Sequence, residues 1–191
     1  MSRPTSVSEP TVHRWTRAEY DAMVLAGHFD HSRVELLEGE IIDMASASNR
    51  HIWAVMQLAA TLTRALDPDL YLAGAQVGFA LSDVSEPEPD ILVFRNGPDL
   101  YRYDHAGPSE VVLLIEVSLS SWRYDSGRKL AAYARGGVQE VWIVDLNRGV
   151  VHVCRQPVDD LYTERFTVGL DGTLTVPGTD VSLAVNSFVR S

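Results

Sequence analysis

The chain has 191 residues, enough to bury a substantial core without disulfides or structural metals. Hydrophobic residues make up 46% and charged residues 22%, a globular balance that excludes a disordered or collagen-like chain. A formal net charge of −10 counts against a protein that coats duplex DNA nonspecifically, because that affinity comes from Lys and Arg neutralising phosphates; it leaves room for a locally basic groove.

Residues 1–15 read as a flexible N-terminal arm and residues 16–191 as one domain. Thr16 with Glu19 has capping-box spacing and opens a short helix that should end at Gly27. Arg33–Leu37 and Glu40–Met44, separated by Glu38-Gly39, predict a hairpin. Ser48 or Asn49 caps a long helix with apolar residues at Ile52, Val55, Met56, Ala59, Leu62 and Leu66, stopped by Asp67-Pro68-Asp69. Leu70–Leu81 is strand-like, and Glu86-Pro87-Glu88-Pro89 is a rigid extended approach to a further strand, Asp90–Phe94. Val111–Val117 is continuously apolar, the pattern of a strand buried on both faces. A helix from about Asp125 to Arg135, closed by Gly136-Gly137, leads to a second buried strand, Glu140–Asp145. Strand, helix and strand form a βαβ-like unit. Beyond Val150 the pattern is short β segments, Val150–Arg155, Tyr162–Val168 and Thr173–Val176, with Asp171-Gly172 as a hairpin signal between the last two. The fold class is mixed α/β. The lone cysteine, Cys154, lies in an apolar run and reads as a small strand residue. No run approaches the ~20 apolar residues of a membrane helix, and no secretory signal is visible, so a soluble cytoplasmic protein with no membrane partner is expected.

Glu116 lies inside the most apolar strand, where a carboxylate is costly unless paired, hydrogen-bonded or bound to a metal. Asp90 opens another apolar strand. If the two strands are neighbours, their carboxylates repel, and a divalent cation removes the penalty; oxygen ligands favour Mg²⁺, Mn²⁺ or Ca²⁺ over zinc. Lys129 follows on a basic helix with Arg123, Arg128 and Arg135. It either pairs with Asp125 four residues earlier on the helix surface or reaches over the metal site, with the arginines meeting a nucleic-acid backbone. Glu35, alone, is an unremarkable hairpin acid. His51 reads as a cap or surface residue.

Five segments together resemble one family: Val34–Glu40, Ser48–His51, Glu88–Ile91, Ile115–Ser118, and Tyr124–Asp145, the last being YDSGRKLAAYARGGVQEVWIVD. The chain is similar, over roughly residues 16–188, to the Uma-type restriction endonuclease family of the PD-(D/E)XK nuclease-like superfamily. The resemblance implies a restriction-endonuclease-like mixed sheet flanked by helices. It implies metal binding by Asp90 and Glu116, with a further acid from Glu35. Two residues after Glu116 stands Ser118 rather than lysine; the family supplies its lysine from the following helix, here Lys129. The loop Ser118-Leu119-Ser120-Ser121 also lacks the proline typical of the family.

The leading functional expectation is a Mg²⁺- or Mn²⁺-dependent phosphodiesterase acting on DNA. Asp90, Glu116 and the Val117 carbonyl would hold the ion, and Glu35, Asp90, Glu116 and Lys129 would be the catalytic set. A homodimer is the expected assembly, since a duplex has two strands to cut. The alternative is a non-catalytic nuclease-fold module that binds nucleic acid or a protein partner, which the acidic charge favours. A carboxylate-pair glycoside hydrolase ranks third, as nothing supplies an aromatic sugar cleft.

Overall fold

In the computed structural model, which describes residues 11–98, 100–101 and 105–189, the elements run α1 (Arg17–Leu25), β1 (Val34–Leu37), β2 (Glu40–Asp43), α2 (Asn49–Ala65), β3 (Tyr71–Ala75), β4 (Ile91–Arg95) and β5 (Val111–Ser118). A π-helical turn (Tyr124–Lys129) then leads directly into α3 (Leu130–Arg135), followed by β6 (Glu140–Asp145), β7 (Val150–Val158), β8 (Leu161–Gly169), β9 (Thr173–Thr175) and β10 (Ser182–Ala184). Six strands form one mixed sheet in the order β3–β4–β5–β6–β7–β8. The βαβ unit is present, because β5 and β6 pair in parallel across the helical connection; the other pairings are antiparallel.

Burial explains the order. β5 and β6 are buried at every position, which suits the middle of a sheet covered on both faces. One face packs Leu113, Ile115, Val117 and Trp142 against Ala54, Val55, Leu58 and Leu62 of α2. The other packs Leu114, Val141 and Ile143 against Leu130, Tyr133 and Ala134 of α3. Strand alternation therefore turns Leu114, Glu116 and Ser118 toward the π turn and α3.

α1 begins with the capping box: Thr16 and Glu19 exchange side-chain-to-backbone bonds at both ends of the motif. The β1–β2 hairpin is antiparallel, and its two turn residues both have positive φ, Glu38 at 53° and Gly39 at 76°. Along β1, Val34 and Leu36 pack with Tyr20, whereas Leu37 joins the α3-side core. The same alternation aims Glu35 at the main sheet. Of the expected arm, residues 1–10 lie outside the described residues. Trp15 donates its backbone N–H to Gly39 O at 2.9 Å, and Arg14 bonds Glu38 O and the Glu40 carboxylate, so the end of that segment is tied to the hairpin. No helix among the described residues is long and apolar enough to cross a membrane.

Three expectations are corrected. Leu70–Leu81 is a strand only over Tyr71–Ala75; Gln76, at φ 52°, turns the chain off the edge, and Phe79 and Ala80 then bond the backbone at Pro87 and Ala106. The helix after β5 is not α-helical throughout: it starts at Trp122 and carries a π turn over Tyr124–Lys129. Asp171-Gly172 does not join β8 to β9 as a hairpin: β9 pairs with β10 in a separate two-stranded sheet. Leu174, Val176, Leu183, Val185 and Phe188 bury in the α2-side core, so the chain crosses to that face instead of widening the β8 edge.

The hairpin turn should be sensitive to a single methyl group. A Cβ at Gly39 would lie 2.7 Å from Cβ of Arg14 in addition to the positive-φ strain. Gly39→Ala is expected to lower the unfolding free energy by about 1–3 kcal/mol in urea titration; an unchanged midpoint would contradict this turn geometry.

Candidate active site

The register of β4 against β5 puts Ile91 opposite Ile115, so Asp90 and Glu116 stand one step beyond that pair at the same end of the sheet. Both line one cavity of about 300 Å³ with His51, Glu88, Tyr124, Asp125 and Lys129. Asp90 Oδ2 accepts the Val117 N–H at 2.8 Å and lies 3.0 Å from His51 Nε2. The Ser118 carbonyl accepts from Leu146 N on the β6 side at 3.0 Å. Alternation along β5 therefore turns both backbone groups of Val117 toward the β4 side, where Asp90 is.

Lys129 is 1% exposed. Its Nζ lies 2.9 Å from Glu116 Oε1 and 3.1 Å from Glu35 Oε2. Tyr133 donates its hydroxyl to Glu116 Oε1 at 2.5 Å, and Tyr124 donates to Glu35 Oε1 at 2.6 Å. Glu35 Oε2 also accepts the Glu88 N–H at 3.0 Å. The π turn makes this set possible. Its i→i+5 bonding brings Tyr124 and Lys129, five residues apart, to the same carboxylate, and the α-helix after it brings Lys129 and Tyr133, four apart, to the next.

The proposed Asp125–Lys129 surface pair is absent. Asp125 is itself buried and accepts the hydroxyls of Ser118 and Ser121 on Oδ2, each at 2.5 Å. Arg128 and Arg135, expected to meet a nucleic acid backbone, are both engaged in ion pairs within the chain. Arg128 bonds Glu38 at 2.9 Å and Glu40 at 2.6 Å, and Arg135 bonds Glu38, which locks the hairpin to the helix. Arg123 remains exposed.

Electrostatics follow from this crowding. Burial pushes the Glu116 carboxyl up to about 8, with Asp125 and Asp90 adding to the rise and Lys129 opposing it. Burial alone would pull the Lys129 ammonium down, but Glu116 and Glu35 outweigh it and hold Lys129 protonated. Burial likewise raises Asp125. The hydrogen bond to Asp90 raises His51.

The donor set suits a hard divalent cation. Among the described residues, Asp90 Oδ1 and Glu116 Oε2 accept no hydrogen bond, while the other oxygen of each carboxylate is saturated. Each side chain thus keeps one oxygen for the cavity, and oxygen donors fit Mg²⁺ or Mn²⁺. A second group, Asp21, Glu86 and His105, has ligand atoms within 4.8 Å of one another. There Arg17 Nε already stands 3.2 Å from Glu86 Oε2 as a protein cation. His51 and Asp125 are the site residues that sequence reasoning missed. The Ser48–His51 spacing was visible, but only the tertiary placement of α2 gives it meaning.

The family model Uma2, described as "Putative restriction endonuclease", matches residues 17–186. Among solved structures, the chain is similar to one described as a "putative nuclease belonging to DUF820" from Anabaena variabilis. The TM-score is 0.70 at 19% sequence identity, over 91% of this chain and 97% of that one. No curated protein matches the chain.

Two outcomes follow from the buried charges. Lys129→Ala leaves the buried Glu35 and Glu116 side chains without their cation and should cost about 3–5 kcal/mol of stability. The neutral pair Lys129→Met with Glu35→Gln should recover most of that loss in denaturant melts, whereas a surface lysine would show neither effect. Second, the folded chain keeps a proton on Glu116 between the ordinary carboxyl range and about 8 that the unfolded chain releases. Stability from this group is therefore full below that range and falls as pH rises through about 8. Without divalent ions, Glu116→Gln should melt progressively higher relative to wild type as pH is raised from 5 to 9; parallel curves would contradict the shift.

Proposed function

Because the chain belongs to the Uma2 family, we propose that it is a divalent-metal-dependent phosphodiesterase acting on DNA. The observation that carries this reading is the pair of open carboxylate oxygens, Asp90 Oδ1 and Glu116 Oε2, on one cavity beside a buried ammonium. Asp90, Glu116 and the Val117 carbonyl would hold Mg²⁺ or Mn²⁺. A bound cation would supply charge neutralisation at the scissile phosphate and a more acidic water.

The protein's own groups divide the remaining work. Glu116 would have to give up its proton to hold a cation, so affinity would rise with pH. Lys129, held protonated, presents positive charge where a phosphate oxygen gains negative charge. Glu35 fixes the Lys129 amine through one oxygen and is fixed by Tyr124 through the other, which makes its part that of an anchor. Glu88 and Arg33, 3.6 Å apart, form part of the cavity lining. A second reading, binding without cleavage, draws on the commitment of Arg128 and Arg135 to Glu38 and Glu40, which leaves less cationic surface for a duplex.

Cleavage of plasmid and linear duplex with Mn²⁺ or Mg²⁺ separates the two. Wild type is expected to cut only with the ion. Asp90→Ala should lose activity by at least about 100-fold, the scale of several kcal/mol of charge stabilisation. Retained DNA binding with no cleavage under any divalent ion would favour the second reading.

A further inference from the structure

α2 starts at a fixed point. Ser48 caps it by accepting the His51 N–H on its hydroxyl at 3.3 Å. The helix then packs Ala54, Val55, Leu58 and Leu62 onto the same core as Ile91, Ile115 and Val117. That packing suspends the first turn over the end of β5 and the entry to β4. From there the His51 side chain, 16% exposed, brings Nε2 to 3.0 Å from Asp90 Oδ2. The backbone N–H of Val117 reaches the same oxygen from β5 at 2.8 Å.

Asp90 needs such support. It follows Pro89, precedes β4, and is held at its backbone by Gln76 N bonding its carbonyl at 3.1 Å. None of these fixes the carboxylate torsions. Two donors from two different elements, both on Oδ2, do so and leave Oδ1 as the oxygen offered to the cavity. His51 Nδ1 is buried and has no hydrogen-bond partner. A ring with its proton on Nε2 satisfies the contact with Asp90 and leaves only a lone pair unmatched, which costs less than an orphaned buried N–H.

We infer that His51 is a positioning residue for Asp90, orienting its carboxylate to take a divalent cation through Oδ1. The inference rests on the metal-dependent reading above, in which Asp90 is a ligand. Partners of this kind, one bond beyond the metal ligand, typically govern affinity by 10–100-fold when removed. The role requires reach and a donor rather than an imidazole as such. Glutamine can place an amide N–H close to the Nε2 position; asparagine is one carbon too short.

Calorimetric titration of Mn²⁺ into wild type, His51→Ala, His51→Asn and His51→Gln at about pH 8, with circular dichroism of each, tests this. His51→Ala and His51→Asn should bind Mn²⁺ roughly 10–100-fold more weakly with α-helix content unchanged. His51→Gln should return to within several-fold of wild type. Affinity of His51→Ala within twofold of wild type, or tighter, would overturn the assignment, as would His51→Asn matching His51→Gln. If His51→Ala does not fold, the Asn and Gln pair still decides. A wild type that binds no Mn²⁺ would remove the metal reading and the His51 role with it, whereas a binding wild type with indifferent variants would sink the His51 role alone.

Discussion

The ammonium of Lys129, shared between Glu35 and Glu116 and almost wholly removed from water, is the contact on which the site geometry depends. It joins three parts of the chain that are far apart in sequence: the β1–β2 hairpin, the central strand β5 and the π turn. Each carboxylate is bonded a second time by a tyrosine hydroxyl, from Tyr124 or Tyr133. A buried charge set of this kind contributes little net stability compared with apolar packing, because desolvation offsets most of the attraction. Its effect is on position. Removing Lys129 leaves the buried acids without their cation, so the alternatives to this arrangement are costly.

Around that contact the wall of the cavity carries an excess of negative charge. Glu35 and Glu116 share Lys129, while Asp90 and Asp125 are held by neutral donors and by His51. Burial, with repulsion from neighbouring acids adding to it, raises Glu116 and Asp125 toward their neutral forms. A divalent cation held by Asp90 and Glu116, which line one cavity, would relieve the same strain. Buried acids crowded in this way cost stability that an apolar core does not, as is common at functional sites.

Much of the fold was legible because its signals are local. The capping box at Thr16 and Glu19, the Glu38-Gly39 turn, the periodicity of α2 and the unbroken apolarity of β5 and β6 each follow from short-range chemistry. The tail was misread at Asp171-Gly172 because a turn signal does not say which strand comes next; burial of Leu174 and Leu183 on the α2 face decided that. At the site, Glu116 was conspicuous as an acid in an apolar run, and Asp90 as its neighbour's partner. Glu35 was not conspicuous on its own, and only the family resemblance singled it out. Lys129 was ambiguous between Asp125 and the cavity, since a spacing of four suits an α-helix surface pair. The π turn removes that reading, and hydrophobic periodicity carries no mark of an i→i+5 turn. In the sequence alone His51 reads as a cap or surface residue, because its link to Asp90 spans two elements that only tertiary packing brings together.

Anomalous diffraction from crystals soaked in Mn²⁺ tests the central claim most directly. The account requires a peak bounded by Asp90 Oδ1 and Glu116 Oε2 at oxygen-ligand distances, with the Lys129 amine still between Glu35 and Glu116. A peak only at Asp21, Glu86 and His105, or none near Asp90 under saturating Mn²⁺, would contradict it.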